Sequence, residues 1–230
     1  MMYPCAEPLP SSVIERARAL SVSLLLDGAK AAGVTLPGGG CLPPMIAPLC
    51  RESVMVGTAL TVRTSPGDNR PIHLAIYRAK QAGYALVIDG RGHDACAYMG
   101  DLMMGACSAL GFSGVVIDGR VRDWDGLMRL GFPVYARGTS PCSPTKALDG
   151  EINAPITLGG VTVCPGDLVM GDCDGVCVIP RKDIDAVLDG AEMRRDYENN
   201  RQKAIDAYLS AKETGEPLPD LTPAWVYDAP

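Results

Sequence analysis

The chain has 230 residues, of which 47% are hydrophobic, so it carries ample apolar material for one large core. Its 21 basic residues are scattered and are outnumbered by 27 acidic ones, and the net charge of −6 argues against a nucleic-acid-binding surface. No apolar run reaches the roughly 18 residues of a membrane span, and the opening MMYPCAEPLP lacks the basic and apolar regions of a signal peptide. We therefore expect a single cytoplasmic domain over residues 1–230.

Nine cysteines and two histidines are the candidate soft metal ligands. The odd cysteine count and the irregular spacing argue against a disulfide framework. The closest pair, Cys173 and Cys177, has no matching second pair of ligands, so no zinc site is expected. We interpret the cysteines as small buried hydrophobic residues.

The first hundred residues begin with a helical pattern over 11–33, for which Ser11 or Ser12 is the candidate N-cap. The segment LPGGGCLPP at 36–44 is typical of a loop. Residues 53–65, SVMVGTALTVRTS, alternate and are rich in β-branched side chains, which predicts a strand.

Two segments then repeat in register, GYALVIDGR at 83–91 and FSGVVIDGR at 112–120, with Asp89 and Asp118 29 positions apart. A helical stretch precedes each one, and a shorter helix and strand, DWDGLMRL and FPVYARG, follow. This spacing predicts βαβ units with buried parallel strands. Ligands of such sheets bind at the carboxyl edge. That edge gathers the charged residues Asp89, Arg91, Asp118, Arg120, Arg122 and Asp123.

The pattern changes after residue 150, where short β runs are broken by Gly-Gly, Pro-Gly-Asp and Asp-Gly, which predicts hairpins. A long helix is predicted over 181–211, with a possible interruption at Gly190. Its middle, 192–203, is polar on nearly every face, which indicates a helix that bridges toward another body or is stabilised by its own ion pairs. The Pro-rich tail 212–230 is expected to be extended, with Trp225 as an anchor on a neighbouring surface.

The segment YMGDLMMG combines a glycine turn with the start of a helix, where free N–H groups and the helix dipole favour an anion. Gly100 permits the turn, the amides of Leu102 and Met103 could hold a small carboxylate, and Arg122 could clamp the same group. The alternative is that Asp101 only caps this helix and that Arg122 is a solvated surface residue.

Asp123 places a hard oxygen ligand beside Arg122. A single carboxylate with several waters is how Mg²⁺ commonly binds, and substrate oxygens complete its shell. The alternative is an N-cap for the helix at 124–130.

Gly100-Asp101-Leu102, followed by Arg122-Asp123 at the end of GVVIDGRVRD, resembles the 4-hydroxy-4-methyl-2-oxoglutarate/4-carboxy-4-hydroxy-2-oxoadipate aldolase family, whose members are class II pyruvate aldolases. The resemblance extends over roughly 50–200 and includes GFPVYARG and GGVTVCPGDLVMGDCDGVCVIP. It implies an α/β fold, a layered αββα sandwich with a parallel βαβ sheet and a second β layer, which assembles as a homotrimer or homohexamer.

The resemblance also implies a mechanism. An α-keto acid chelates Mg²⁺ or Mn²⁺, for which Asp123 is the direct protein ligand, while Arg122 and the amides of residues 102 and 103 hold the pyruvyl part. Asp101 orients a water of the metal shell that carries the proton. An acidic residue from a neighbouring subunit supports the metal waters in this family, and Glu198 is our candidate for it. The alternative for Glu198 is an ion pair with Arg194 four residues earlier.

The resulting expectation is a metal-dependent aldolase that cleaves a 4-hydroxy-2-oxo acid and releases pyruvate, with oxaloacetate decarboxylation as a side reaction. A Schiff-base aldolase is disfavoured because none of the six lysines ends an apolar strand. His93 could line the site or be an ordinary loop residue. The alternative from another class is a non-catalytic protein that regulates a ribonuclease by contact, because the regulator of ribonuclease E activity A shares the fold of this superfamily.

Overall fold

A computed structural model describes residues 1–79 and 81–227, without the side chain of Trp225. Its helices are α1 Ser11–Arg18, α2 Val22–Ala31, α3 Arg70–Arg78, α4 Asp101–Ala109, α5 Trp124–Leu130, α6 Ile184–Thr214 and α7 Ala224–Tyr227. Its strands are β1 Ala47–Pro48, β2 Met55–Arg63, β3 Tyr84–Met99, β4 Gly114–Val121, β5 Val134–Ala136, β6 Glu151–Ile152, β7 Ile156–Leu158, β8 Val161–Val163, β9 Leu168–Asp172 and β10 Gly175–Ile179.

The main sheet has eight strands in the order β1-β5-β4-β3-β2-β9-β10, with β6 also paired to β2. Strands β2, β3, β4 and β5 run parallel to one another, so the predicted βαβ units are confirmed. Ile88 pairs with Ile117, an offset of 29 residues, so the sequence repeat equals the pairing register of β3 and β4. The two IDGR segments therefore end side by side at the carboxyl edge.

Three groups of buried side chains hold the layers together. One lies between the parallel strands and α3, α4 and α5. A second lies between α1, α2 and α6 and the β9–β10 side of the sheet. The third fills the space between the main sheet and the small two-stranded sheet β7–β8. The α/β fold class, with a mostly parallel sheet, a second small sheet and helices outside, is confirmed.

Two of the three predicted turns after residue 150 form hairpins, those at Gly-Gly and Asp-Gly, whereas Pro-Gly-Asp connects β8 to β9 without pairing them. Strands β7 and β8 make the small sheet, whereas β9 and β10 extend the main one because β9 pairs antiparallel with β2. Strand β3 also differs from its predicted end at residue 91, since it continues irregularly to Met99 with register shifts after Ile88. This extension carries the chain toward the start of α4.

The prediction of a single helix over 11–33 is wrong, because the helix is interrupted between the end of α1 and the start of α2. Ser21 is extended there, and its side chain accepts a hydrogen bond from the Leu24 amide at 3.1 Å, which caps α2. Neither Ser11 nor Ser12 caps α1, whose N-cap position is Pro10 and has no side-chain cap.

The long helix α6 runs without interruption through Gly190, so the possible break at that residue is not realised. It ends at Thr214, later than predicted, and Gly215 at φ 74° closes it. The tail has no regular secondary structure over 216–223, after which the short α7 follows, and Leu221 O accepts a hydrogen bond from Arg201 Nη2 at 2.6 Å. Residues 228–230 of the predicted tail and the side chain of Trp225 lie outside the described residues.

All nine cysteines are free, but only Cys96, Cys107 and Cys177 are buried, so the interpretation as buried hydrophobic residues holds for a minority. Among the described helices, none combines the length and the apolar character that crossing a bilayer requires.

Candidate functional site

A cavity of about 330 Å³ opens where β3 and β4 end. Five of the seven residues predicted for the site line it: Gly100, Leu102, Met103, Arg122 and Asp123. The carboxyl edges of two parallel strands thus bring together residues that are about 20 positions apart in sequence. The remaining two, Asp101 and Glu198, are not among its lining residues in the single chain.

Arg122 directly follows β4, and its backbone N–H donates to Met99 O at 3.0 Å, which ties it to the end of β3. Its Nη1 donates to Ser143 Oγ at 2.7 Å, and its Nε lies 3.4 Å from Asp123 Oδ2. The guanidinium is therefore oriented by two neighbours while part of its side chain stays exposed.

Asp123 occupies the N-cap position of α5, but its side chain makes no capping hydrogen bond. Its backbone is left-handed, with φ 65° and ψ 47°. A Cβ at Gly100 would overlap the Asp123 carboxylate, whereas the φ of −130° at Gly100 is open to any residue. Gly100 is thus needed for the close approach of this carboxylate, which remains available to a ligand.

The first turn of α4 faces the same cavity. Gly100 is the N-cap residue, without a side-chain cap, and Gly100 O accepts the hydrogen bond from Met104 N. Within the described residues, the amides of Leu102 and Met103 have no backbone acceptor. These N–H groups and the helix dipole can receive a carboxylate. Asp101 does not cap the helix, and a Cβ at Gly126 would overlap its carboxylate, so this side chain packs against α5.

Most of the other charges at the carboxyl edge form ion pairs away from the cavity. Asp89 lies 3.4 Å from Arg63, Asp118 accepts from Arg137 at 2.5 Å, and Arg120 lies 3.1 Å from Asp94. These pairs fix the irregular part of β3 and the segment after β5. His93 packs edge-on against Tyr98, with 6.4 Å between the ring centroids, and does not line the cavity.

Glu198 lies on the exposed part of α6, where its Oε1 accepts from Arg194 Nε at 3.1 Å. The i,i+4 ion pair considered as its alternative is therefore present within the chain. An exposed pair of this kind contributes only a few tenths of a kcal/mol, so it does not fix the carboxylate strongly.

Sequence reasoning did not assign several polar residues that line the cavity: Asn69, His73, Tyr98, Ser143 and Lys146. Burial, followed by the positive charge of Lys146, lowers the pKa of His73. Burial is also the largest cause that raises the pKa of Tyr98, to about 12. An available signal was the position of Asn69 directly before a predicted helix, but nothing in the sequence brought the segment around Lys146 to this edge.

The donors at the cavity fit a hard divalent cation with one direct protein ligand. Asp123 is the one carboxylate among the described lining residues, and the lining contains no thiol. Mg²⁺ and Mn²⁺ accept such a carboxylate together with waters and substrate oxygens. A closer grouping of potential ligands, Asp172, Cys173 and Asp174, lies elsewhere, at the β9–β10 turn.

The chain is similar in sequence to known proteins over most of its length. Residues 33–178 match the family described as RraA-like, Aldolase/RraA. A protein of Halalkalibacterium halodurans that carries the name "Putative 4-hydroxy-4-methyl-2-oxoglutarate aldolase" is 40% identical over 170 residues, which are 74% of this chain and 80% of the relative.

Two solved structures show the likeness in three dimensions. RraAS2 of Streptomyces coelicolor, described as an unusual member of the RNase ES inhibitor RraA protein family, shares the fold with a TM-score of 0.75 at 23% identity, over 86% of this chain and 98% of its own. The RNA-processing inhibitor RraA from Thermus thermophilis has a TM-score of 0.56 at 28% identity, over 61% of this chain and 84% of its own. The chain therefore belongs to the RraA-like (Aldolase/RraA) family.

Proposed function

We propose that the protein is a class II aldolase, a lyase that cleaves a 4-hydroxy-2-oxo acid and releases pyruvate with the help of Mg²⁺ or Mn²⁺. The candidate substrates are 4-hydroxy-4-methyl-2-oxoglutarate and 4-carboxy-4-hydroxy-2-oxoadipate, and oxaloacetate decarboxylation is a side activity. The observation that carries the proposal is the placement of Arg122, Asp123 and the free amides of α4 around one cavity. The name of the Halalkalibacterium halodurans relative supports it.

In this proposal Asp123 holds the cation, and the cation supplies Lewis acidity that withdraws electrons from the 2-oxo group. The amides of Leu102 and Met103 bind the carboxylate next to that group. Arg122, oriented by Ser143, donates to the 2-oxo oxygen as negative charge develops there. These donors are in place before the reaction, so little reorganisation is needed.

The bond that breaks joins C3 and C4 of the substrate. Its electron pair stays with C3 as the enolate of pyruvate, the C4 hydroxyl becomes a carbonyl as it loses its proton, and C3 then takes up a proton. Asp101, at the start of α4, is the proposed group that directs this proton transfer from beside the cavity, and Glu198 of a neighbouring subunit is the proposed second carboxylate.

We propose a homo-oligomer, a trimer or a hexamer, in which the site lies at a subunit boundary. Two large side chains at the mouth of the cavity support this: Leu102 is 86% exposed and Tyr77 is 65% exposed. Apolar side chains grouped at a site in this way are typical of a surface that another chain covers.

A pyruvate-release assay with 4-hydroxy-4-methyl-2-oxoglutarate tests the proposal. We expect pyruvate in the presence of Mg²⁺ or Mn²⁺, and its loss after exhaustive chelation or in Asp123→Asn. Asparagine tolerates the left-handed backbone of residue 123, so the melting temperature should stay nearly unchanged. Full activity in the variant or in the chelated protein would contradict the class II assignment.

The second candidate function is regulation of a ribonuclease by protein contact, which the likeness to the Thermus thermophilis RNA-processing inhibitor favours. A non-catalytic regulator would release no pyruvate with either metal. It would instead inhibit a ribonuclease E-type enzyme in a manner that chelation of the regulator does not change. The same assay therefore separates the two functions.

A further inference from the structure

Three polar residues of the cavity have no part in holding the pyruvyl group: Asn69, His73 and Lys146. Among the described side chains, the buried nitrogen and oxygen atoms without a hydrogen-bond partner are Asn69 Oδ1 and His73 Nε2. Both residues line this one cavity. Because buried polar atoms are nearly always paired in folded proteins, two unpaired atoms in residues that line one cavity mark this wall as a candidate ligand contact.

The side chain of Asn69 is held in one orientation. The residue is 3% exposed, and its Nδ2 donates to Tyr98 O at 2.7 Å and lies 3.6 Å from Met103 Sδ. A backbone carbonyl can only accept, so the amide nitrogen must face Tyr98 and the oxygen must face the other way. Asn69 Oδ1 is therefore a fixed acceptor, suited to a hydroxyl group.

His73 is suited to donate without carrying a charge. Burial and the nearby Lys146 lower its pKa, so the neutral imidazole prevails at neutral pH. A neutral imidazole has one N–H donor, which either ring nitrogen can carry, and in the proposed subsite the unpaired Nε2 carries it. An N–H at this position can donate to a carboxylate that Lys146 attracts by its charge.

Lys146 lies in a segment without regular secondary structure, yet the backbone on both sides of it is fixed by the buried Asp68. The Asp68 carboxylate accepts from Thr145 Oγ1 at 2.7 Å, Ala147 N at 2.7 Å and Leu148 N at 3.1 Å. Burial raises the pKa of this carboxyl, but the hydrogen bonds together outweigh burial and lower the pKa to about 2. Asp68 is thus ionised at neutral pH and holds the segment in place.

We propose that Lys146, His73 and Asn69 form a specificity subsite for the far end of the substrate, and that Asp68 is the positioning residue that holds Lys146 in it. This inference rests on the proposed function, because the pyruvyl end must occupy Arg122 and Asp123. Lys146 and His73 then bind a carboxylate attached to C4, and Asn69 Oδ1 accepts from the C4 hydroxyl. The subsite selects substrates with a second carboxylate and takes no part in bond breaking.

The test uses two ligands that cannot be cleaved, 2-oxoglutarate and 2-oxopentanoate, titrated by calorimetry in the presence of Mg²⁺. The two share the 2-oxo acid end, and only the first has a second carboxylate. We expect the protein to bind 2-oxoglutarate at least about tenfold more tightly than 2-oxopentanoate. A difference of this size is in the range of one charged hydrogen bond. Lys146→Met should reduce this preference to less than threefold and leave the affinity for 2-oxopentanoate within twofold, while Lys146→Arg should retain part of it.

Matched controls separate the subsite from a general loss of structure. Lys182→Met removes an exposed lysine outside the cavity lining and should leave both affinities unchanged. Thr145→Val removes one hydrogen bond to Asp68 and should lower the preference for 2-oxoglutarate while 2-oxopentanoate still binds normally. Asp68→Asn should do the same more strongly if it folds.

Equal weakening of the two ligands in Lys146→Met, an unchanged preference, or a protein that never prefers 2-oxoglutarate would overturn the subsite. Because these measurements need no turnover, they are independent of the pyruvate-release assay. If the protein releases no pyruvate but still prefers 2-oxoglutarate, the proposed reaction is contradicted and the carboxylate-binding subsite is supported.

Discussion

Asp123 adopts a left-handed backbone that residues other than glycine rarely take, and it does so beside the cavity. Such a conformation costs on the order of 1–3 kcal/mol and persists where the surroundings enforce it. Asp123 lies between the end of β4 and the start of α5, and the missing side chain of Gly100 leaves room for its carboxylate. With this backbone, the Asp123 carboxylate points toward the cavity. In an ordinary N-cap residue, the carboxylate would instead accept a hydrogen bond from the backbone of its own helix.

The geometry around Arg122 predicts that its planar guanidinium cannot be replaced by a point charge. Arg122→Lys should lower kcat/KM by roughly 10-fold to 100-fold, since each charged hydrogen bond contributes about 1.5–3 kcal/mol. Arg120→Lys is the matched control, because Arg120 pairs with the exposed Asp94 outside the cavity lining and should stay near wild-type activity. A loss of less than threefold in Arg122→Lys would remove this residue from the site.

Gly100→Ala is expected to impair cation binding while the fold survives. The added methyl group overlaps the end of the Asp123 side chain, which can move at little cost in stability but then loses its position. Mn²⁺ affinity, followed by electron paramagnetic resonance, should fall at least several-fold, and pyruvate release should fall with it.

The control for this substitution lies on the same helix. Gly105 has open space around its Cβ position, so Gly105→Ala should keep Mn²⁺ affinity and stabilise the protein by about 0.5–1 kcal/mol. Equal Mn²⁺ affinity in the two variants would show that Gly100 does not position Asp123.

Some residues of the candidate site could be predicted from the sequence and others could not. The difference depends on how far apart in sequence the residues lie that bring them to the cavity. Gly100, Leu102, Met103, Arg122 and Asp123 could be predicted because parallel strands place consecutive strand ends at one edge. Asn69, His73 and Lys146 could not, since Lys146 reaches the cavity through hydrogen bonds to Asp68 that span nearly 80 positions. No local pattern encodes such a connection.

At the scale of elements, the 29-residue repeat predicted the pairing of β3 with β4 because the two IDGR segments pair in the same register, with Ile88 opposite Ile117. The break at Ser21 was missed because apolar residues continue on both sides of it, and only a cap and a tertiary partner mark it. That partner is Asp172, whose Oδ2 accepts from Val22 N at 2.8 Å. The late part of β3 is paired with β4, where Met99 lies opposite Val121.

Gly190 illustrates how a glycine within a helix can serve packing. A Cβ at residue 190 would lie 2.5 Å from Gly28 O, and a Cβ at residue 28 would lie 2.5 Å from Ala191 N. The backbones of α2 and α6 therefore touch at this crossing. The sequence pattern that suggested a break in α6 instead marks a close helix–helix contact.

Gly190→Ala should destabilise the protein by about 1–3 kcal/mol, although alanine is the better helix former, because the obstructing atoms belong to backbone that cannot yield locally. Urea unfolding measures this directly, with Gly105→Ala as the reference for helix propensity alone. A free energy of unfolding that is unchanged or higher would contradict the close contact.

At the scale of the whole molecule, α6 is the feature that the single chain explains least. Its 31 residues extend over about 46 Å at 1.5 Å per residue, yet most of its buried residues lie in its first two turns, Ile184 to Ala191. Beyond them, the apolar side chains Met193, Tyr197, Ile205 and Leu209 are exposed in the part of the chain that the structure describes. Such a surface on an otherwise polar helix suits a second copy of the chain.

We therefore expect α6 to reach a neighbouring subunit and to place Glu198 near that subunit's Asp123. Asp123→Asn and Glu198→Ala should each be inactive alone, because each removes one carboxylate from every shared site. After subunit exchange, some sites combine an intact Asp123 with an intact Glu198, so the mixture should regain part of the pyruvate release. Asp206→Ala is the matched control on the same helix, where the exposed Asp206 accepts from Gln202, and it should remain active alone. If exchange is verified by mass spectrometry and no activity returns, Glu198 acts within its own chain or has no role in the reaction.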